Sequence, residues 1–192
     1  KLGCAYDEDT DLGPVVNAGH KEKICNWIQK GIDEGAELVL DGRNAVVPGY
    51  ENGFFVGPTI LDHVTPEMTV GNREIFGPVT CIKRVKDYEE GIAVMNANPF
   101  ANGSCIFTQS GYYSRKFAME TDGGMVGINV GIPVPTAYFP FSGNKDSFFG
   151  DLHVLGKDGY RFFTRAKTVT THWFDEAAGK RKVGTWEGST EA

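Results

Sequence analysis

Cysteine is sparse and scattered in this chain. Cys4, Cys25, Cys81 and Cys105 form no C-x-x-C pair, and the four histidines are equally dispersed, a pattern that speaks against a metal site. The last three cysteines sit in apolar patterns, where cysteine behaves as a small hydrophobe. Reduced thiols in a reducing compartment, the cytoplasm, are the simplest reading. No stretch approaches the roughly 20 apolar residues of a membrane helix, and no charged-then-apolar signal segment opens the chain. A basic excess is missing too: 19 Lys and Arg against 25 Asp and Glu leave a net charge of −6, which argues against nucleic-acid or anionic-membrane partners.

What is present fits a folded α/β protein. The 192 residues are 41% apolar and 23% charged, enough apolar material for a packed core. Gly is the unusual component, at 25 residues about twice ordinary usage, and points to tight loops and close backbone approaches. The chain opens at Lys1 rather than Met and runs at once into the acidic stretch Asp7-Glu8-Asp9, which reads as the interior of a longer protein.

Periodicity orders the elements. Ile24, Ile28 and Ile32 recur every fourth residue and predict a helix over 17–35, stopped by Gly35. Residues 36–40 and 59–64 read as strands, 43–58 as loop and 65–72 as a polar stretch. From Val79 the pattern alternates: strand 79–85, a helix N-capped by Asp87, strand 104–108, helix 111–121 and strand 125–130. Strands separated by helices of about ten residues predict a largely parallel sheet flanked by helices. A Pro- and Gly-rich loop, 131–150, interrupts the alternation, and loops of that length usually carry function. A helix over 156–164, a β-prone run over 167–174 and a polar tail over 175–192 follow.

Three collinear segments carry the chemistry. Asn72-Arg73-Glu74-Ile75-Phe76-Gly77-Pro78-Val79 resembles the E-x-F-G-P loop of aldehyde dehydrogenases. Pro140-Phe141-Ser142-Gly143-Asn144-Lys145-Asp146-Ser147 resembles their P-F-G-G-x-K-x-S segment, with Ser142 where most members have Gly. Phe163-Thr164-Arg165-Ala166-Lys167-Thr168-Val169 resembles the Y-T-x-x-K-T-V entry into their final strand. Further stretches, among them Gly49-Tyr50-Glu51-Asn52-Gly53-Phe54-Phe55 and Ser147-Phe148-Phe149-Gly150-Asp151, are similar to the branch of methylmalonate-semialdehyde (malonate-semialdehyde) dehydrogenases.

The resemblance implies a C-terminal portion of a catalytic domain over 1–165 and an oligomerisation strand over 166–174. It further implies an NAD-dependent enzyme that oxidises a semialdehyde through a nucleophilic Cys and releases the acyl group to coenzyme A. That Cys and most of the NAD site belong to an upstream segment, so no catalytic residue is expected in this chain, and the chain alone is expected to be inactive. Malonate and methylmalonate semialdehyde both remain open as substrates. A hydrolytic NAD(P)-dependent relative and a non-catalytic assembly module are the competing readings.

Residue by residue, the resemblance assigns Glu74 and Phe76 to the cofactor. A carboxylate accepts two hydroxyl hydrogen bonds, which suits the nicotinamide ribose, and an aromatic face two residues on can pack against the ring. A solvated Glu and a core Phe are the plain alternative. Phe141, with Phe139 beside it, is assigned to the aldehyde tunnel, against ordinary loop packing. Lys145 reads as a solvated loop residue rather than a partner for the substrate carboxylate. Asn129, at the end of a strand, reads as an amide that pins the neighbouring loop. The β-rich run Lys167-Thr168-Val169-Thr170-Thr171-His172-Trp173-Phe174 needs an edge to pair with, and the family uses it to extend a neighbouring subunit's sheet in dimers and tetramers.

Overall fold

The first helix, α1 (Ala18–Asp33), begins where Asn17 adopts extended backbone and its side-chain oxygen accepts from the His20 amide at 2.8 Å. Gly35, at φ 108°, ends the turn that follows. One stripe of α1 faces inward. Ile24 and Ile28 are fully buried, and Gly31 lets the side chains of Leu61 and Val70 come up against the helix backbone. These side chains join Ala36, Val56, Val64 and Ile75 in the core. The structure, a computed structural model, describes residues 1–173.

Beside α1 lies a three-stranded sheet of β1 (Glu37–Leu40), β2 (Thr59–Asp62) and β3 (Val79–Cys81). The central strand β2 pairs antiparallel with β1 and parallel with β3. The expected strand over 79–85 is shorter as a regular ladder, yet its pairing continues: the Ile82 amide donates to Leu61 O and the Val64 amide to Ile82 O. Arg84 closes that edge with two bonds to the Asp62 carboxylate, at 2.5 and 3.1 Å. The guanidinium and the His63 amide hold the Asp62 carboxyl below the ordinary carboxylate range. The polar stretch 65–72 contains a short helix, α2 (Thr69–Asn72). Glu34, at the end of α1, accepts from both the Thr69 amide at 2.6 Å and its hydroxyl at 2.8 Å, so α2 hangs from α1.

The second half is a βαβ unit with additions. Helix α3 (Tyr88–Ala97) starts at Asp87, whose carboxylate accepts from the Glu90 amide, while the Glu90 carboxylate accepts from the Lys86 amide. Strand β4 (Phe100–Ala101) follows, then β5 (Gly103–Ile106), helix α4 (Gly111–Glu120) and β6 (Met125–Ile128). Strands β5 and β6 pair in parallel from Gly103↔Met125 to Ile106↔Ile128, as a right-sized helical crossover allows. The α/β class thus stands, with the strands gathered into three small sheets rather than one. Two pairings are parallel, and the antiparallel ones involve β1 and the β4–β7 pair. β7 (Asn144–Lys145) lies within the long loop, and α5 (Gly156–Phe163) comes after it with no buried residue.

Residues 164–173 form neither helix nor strand and lie exposed. The expected oligomerisation strand takes no regular strand conformation over its described residues. Its last residue, Phe174, and the tail lie outside the described residues. Among the described residues no helix is long and apolar enough to cross a membrane.

Because Ile28 is fully enclosed between α1 and β2, Ile28→Ala leaves a cavity that neighbours cannot close. Denaturant unfolding is expected to show a loss of about 2–5 kcal/mol. Val16→Ala, at a position 79% exposed, is expected to stay within about 0.5 kcal/mol of the parent.

Candidate functional site

The segment between α2 and β3 alternates between anchored and presented residues. Ile75 is buried in the α1 core, whereas Glu74 is exposed and Phe76 is 73% exposed. Phe76 is therefore not a core residue, and its ring stands in solvent. Its backbone takes φ 60°, a left-handed conformation that non-Gly residues rarely adopt. Gly77 explains part of this geometry. A Cβ at that position would lie 2.6 Å from Ile24 Cδ1, so only Gly allows the loop to rest on α1. The His20 ring nitrogen Nε2 donates to the Phe76 carbonyl at 2.6 Å, and the two rings meet edge-on at 6.1 Å.

Glu74 lines two clefts. The larger, about 1070 Å³ and open to solvent, runs between Arg73–Glu74 and the segments Asn98–Phe100 and Asp146–Ser147. The smaller, about 350 Å³, includes Glu74, Phe76, Gly77 and Cys81. Neither cleft includes Phe139 or Phe141, so the four expected site residues fall into two pairs on separate loops.

Phe139 is 63% exposed and Phe141 half-buried, on a loop that folds against the start of α5. The Phe141 amide donates to Val154 O at 2.9 Å, and the Gly156 amide to Ala137 O at 3.1 Å. The polar residues after them have a different task. Lys145 is exposed, as expected of a loop lysine, but its ammonium is tied down: it donates to the carbonyls of Asn96 at 2.5 Å and Asn98 at 3.2 Å, and it pairs with Asp122 at 2.6 Å. A cation at the C-terminal end of α3 meets the carbonyls the helix leaves unpaired, which sequence spacing did not reveal. Asn144 donates to Asp122 O, and the Ser147 hydroxyl accepts from the Ala101 amide. Together these residues bolt the loop to α3, β4 and the turn before β6.

Asn129 pins its neighbour, as expected. Its amide oxygen accepts from the Thr108 amide at 2.8 Å and its amide nitrogen donates to Thr108 O at 3.0 Å. All four cysteines are free and half-buried. Burial pushes the Cys81 thiol up, and Cys105 Sγ donates to Gly131 O.

A family model described as the aldehyde dehydrogenase family matches residues 1–169. Among curated relatives, a methylmalonate-semialdehyde dehydrogenase from Arabidopsis thaliana, described as acylating and mitochondrial, is 53% identical over 175 residues, covering 91% of this chain and 29% of that protein. A malonate-semialdehyde dehydrogenase from Oceanobacillus iheyensis is 52% identical, with 90% of this chain and 35% of that protein covered. Among solved structures, a methylmalonate-semialdehyde dehydrogenase from Oceanimonas doudoroffii superposes with a TM-score of 0.89 at 46% identity, covering 94% of this chain and 37% of that one. The chain thus spans about a third of the length of the relatives it matches.

The ties of Lys145 set a test between scaffold and substrate roles. Lys145→Met is expected to cost about 1–2 kcal/mol through lost charge-assisted bonds at the helix end, read as a lower thermal midpoint. A substrate-binding lysine would instead raise the KM for a carboxylated aldehyde and leave the midpoint in place.

Proposed function

This chain belongs to the aldehyde dehydrogenase family, and on that premise we propose that it serves an NAD-dependent, CoA-acylating oxidation of malonate or methylmalonate semialdehyde. In this reading residues 1–165 are the C-terminal portion of the catalytic domain. The acyl group leaves as acetyl- or propionyl-CoA with loss of carbon dioxide. The single observation that carries the reading is the loop at 73–78, which presents a carboxylate and an aromatic ring side by side to solvent while Ile75 anchors it beneath.

The donor set fits the cofactor. NAD, when bound, supplies the hydride acceptor. Glu74 has both carboxylate oxygens available to accept from a pair of ribose hydroxyls. Phe76, held in a left-handed backbone, lines the small cleft and would limit where a flat ring can lie. Orientation of that kind accounts for a large share of rate in hydride chemistry. Phe141 and Phe139, on their stiff Pro-rich loop, would wall the path of the aldehyde. A related structure from Sinorhizobium meliloti, 44% identical with a TM-score of 0.89, is complexed with NAD, which supports the cofactor.

Self-association and a cytoplasmic setting complete the proposal. The run 166–174, exposed over its described residues and rich in Thr, Val and Trp, would extend the sheet of a second subunit in a dimer or tetramer.

Two measurements on the full-length enzyme test the reading. Turnover of malonate semialdehyde with NAD is expected to yield acetyl-CoA when CoA is supplied; the free acid formed at the same rate with or without CoA would point to a hydrolytic enzyme. Glu74→Gln weakens charge-assisted bonds that are roughly twice as strong as neutral ones. Single-turnover NADH formation at saturating NAD should therefore fall by on the order of ten- to a hundredfold while the aldehyde KM holds. An unchanged rate would return Glu74 to a solvated surface residue.

A further inference from the structure

Phe76 poses a question that its own environment does not answer. Its ring is 73% exposed, so burial does not orient it, and its φ of 60° is a conformation that costs on the order of 1 kcal/mol or more for a residue with a Cβ. Such strain persists only where neighbours over-determine it. Gly77 fits against Ile24, which fixes the loop one residue further on. At Phe76 itself the contacts come from His20, one helical turn before Ile24 on the same stripe of α1. A carbonyl only accepts, so the 2.6 Å contact requires Nε2 of His20 to carry the proton. The same imidazole meets the Phe76 ring edge-on, at 6.1 Å and 64°.

We infer that His20 is a positioning residue for the cofactor site, its Nε2–H bond to the Phe76 carbonyl holding the loop in the left-handed turn that presents the Phe76 ring. The inference rests on the reading of Glu74 and Phe76 given above. His20 sits in the first turn of α1, where its side chain is free of capping duty: Asn17 caps through the His20 backbone amide, which any substitution except Pro retains. The stripe of α1 therefore has two functions along one face. Its lower residues, Ile24 and Ile28, build the core, and its first inward residue sets the conformation of an exposed ring about one helical turn away from that core.

The test uses the full-length enzyme with NAD and semialdehyde. His20→Ala removes both contacts, and NADH formation in a single turnover is expected to slow on the order of tenfold, since misplacing a reacting partner by about 1 Å can cost roughly a hundredfold. The aldehyde KM and the thermal midpoint should stay at their parent values. His20→Gln returns an N–H near the position of Nε2 without the ring, and is expected to restore most of the rate. An unchanged rate in His20→Ala, or equal slowing in both variants, overturns the inference. So does a fall in thermal midpoint that accompanies the slowing, which would make His20 a general support of α1. Glu74→Gln, measured alongside, separates the levels: if it slows hydride transfer while His20→Ala does not, only the His20 inference fails, and if neither does, the cofactor reading fails with it.

Discussion

The structure depends on the seating of one helix. The inward stripe of α1 runs from His20 through Ile24 and Ile28 to Gly31, and each member meets a different part of the chain. Gly31 admits the side chains of Leu61 and Val70, Ile28 and Ile24 fill the core, Ile24 meets Gly77, and His20 reaches Phe76. A rotation of the helix by a single residue, about 100°, would turn that whole stripe away at once. Burial of two isoleucines at 0% exposure makes such a rotation expensive, at about 1.5–3 kcal/mol for each side chain brought back to water. The geometry of an exposed loop is in this way tied to the most deeply buried contacts of the molecule. The tie is direct, because Ile75 belongs to the core cluster while its neighbours on both sides are exposed.

The other half of the chain is organised by polar bonds rather than by a core. Buried apolar residues there are few, Phe117 and Met125 among them. Asn96 instead donates to Glu120 O and accepts from the Asp122 amide, and Lys145 and Asn144 converge on Asp122 and the end of α3. Lys116 pairs with Glu89 and Glu120 and lies 4.6 Å from the centroid of the Tyr88 ring, linking α3 to α4. Many large apolar side chains in this half, such as Phe107, Ile132 and Tyr138, are exposed. An arrangement of this kind keeps loop geometry exact through hydrogen-bond directionality while leaving apolar surface outward.

Legibility in the sequence followed the range of the forces involved. Local signals are readable: Asp87 caps the helix it precedes, the four-residue recurrence of Ile24 and Ile28 marks the buried face of α1, and Asn129 binds the backbone of its neighbour. The motif places Glu74 in a loop, and the structure has a loop there, with Glu74 exposed. What stayed hidden depends on distant partners. Helix α2 is too short to show a period and exists because Glu34, 35 residues earlier, accepts from Thr69. Lys145 looked like any loop lysine because its partners Asn96 and Asn98 lie 49 and 47 residues away. His20 gave no sign of its role, since its contact with Phe76 spans 56 residues and a lone histidine on a helix has many possible partners. The short ladders also follow from this: β4 and β7 are two residues each, below any alternation that a sequence can display.

Asn129 closes the β5–β6 ladder in an unusual manner. After the Asn129 amide donates to Ile106 O, the next rung is made by a side chain, whose oxygen and nitrogen stand in for a peptide group opposite Thr108. The main chain itself, at φ 58°, has already turned away. A sheet that ends on a side-chain rung has its last register set by one residue, independent of what the backbone does afterwards. Asn129 therefore works as a modular joint. On its far side the chain leaves the sheet and runs as a loop to the tie-down made by Asn144, Lys145 and Ser147. Beyond Asn129 the loop is held at separate points, where Cys105 Sγ donates to Gly131 O, the Gly156 amide to Ala137 O and the Phe141 amide to Val154 O.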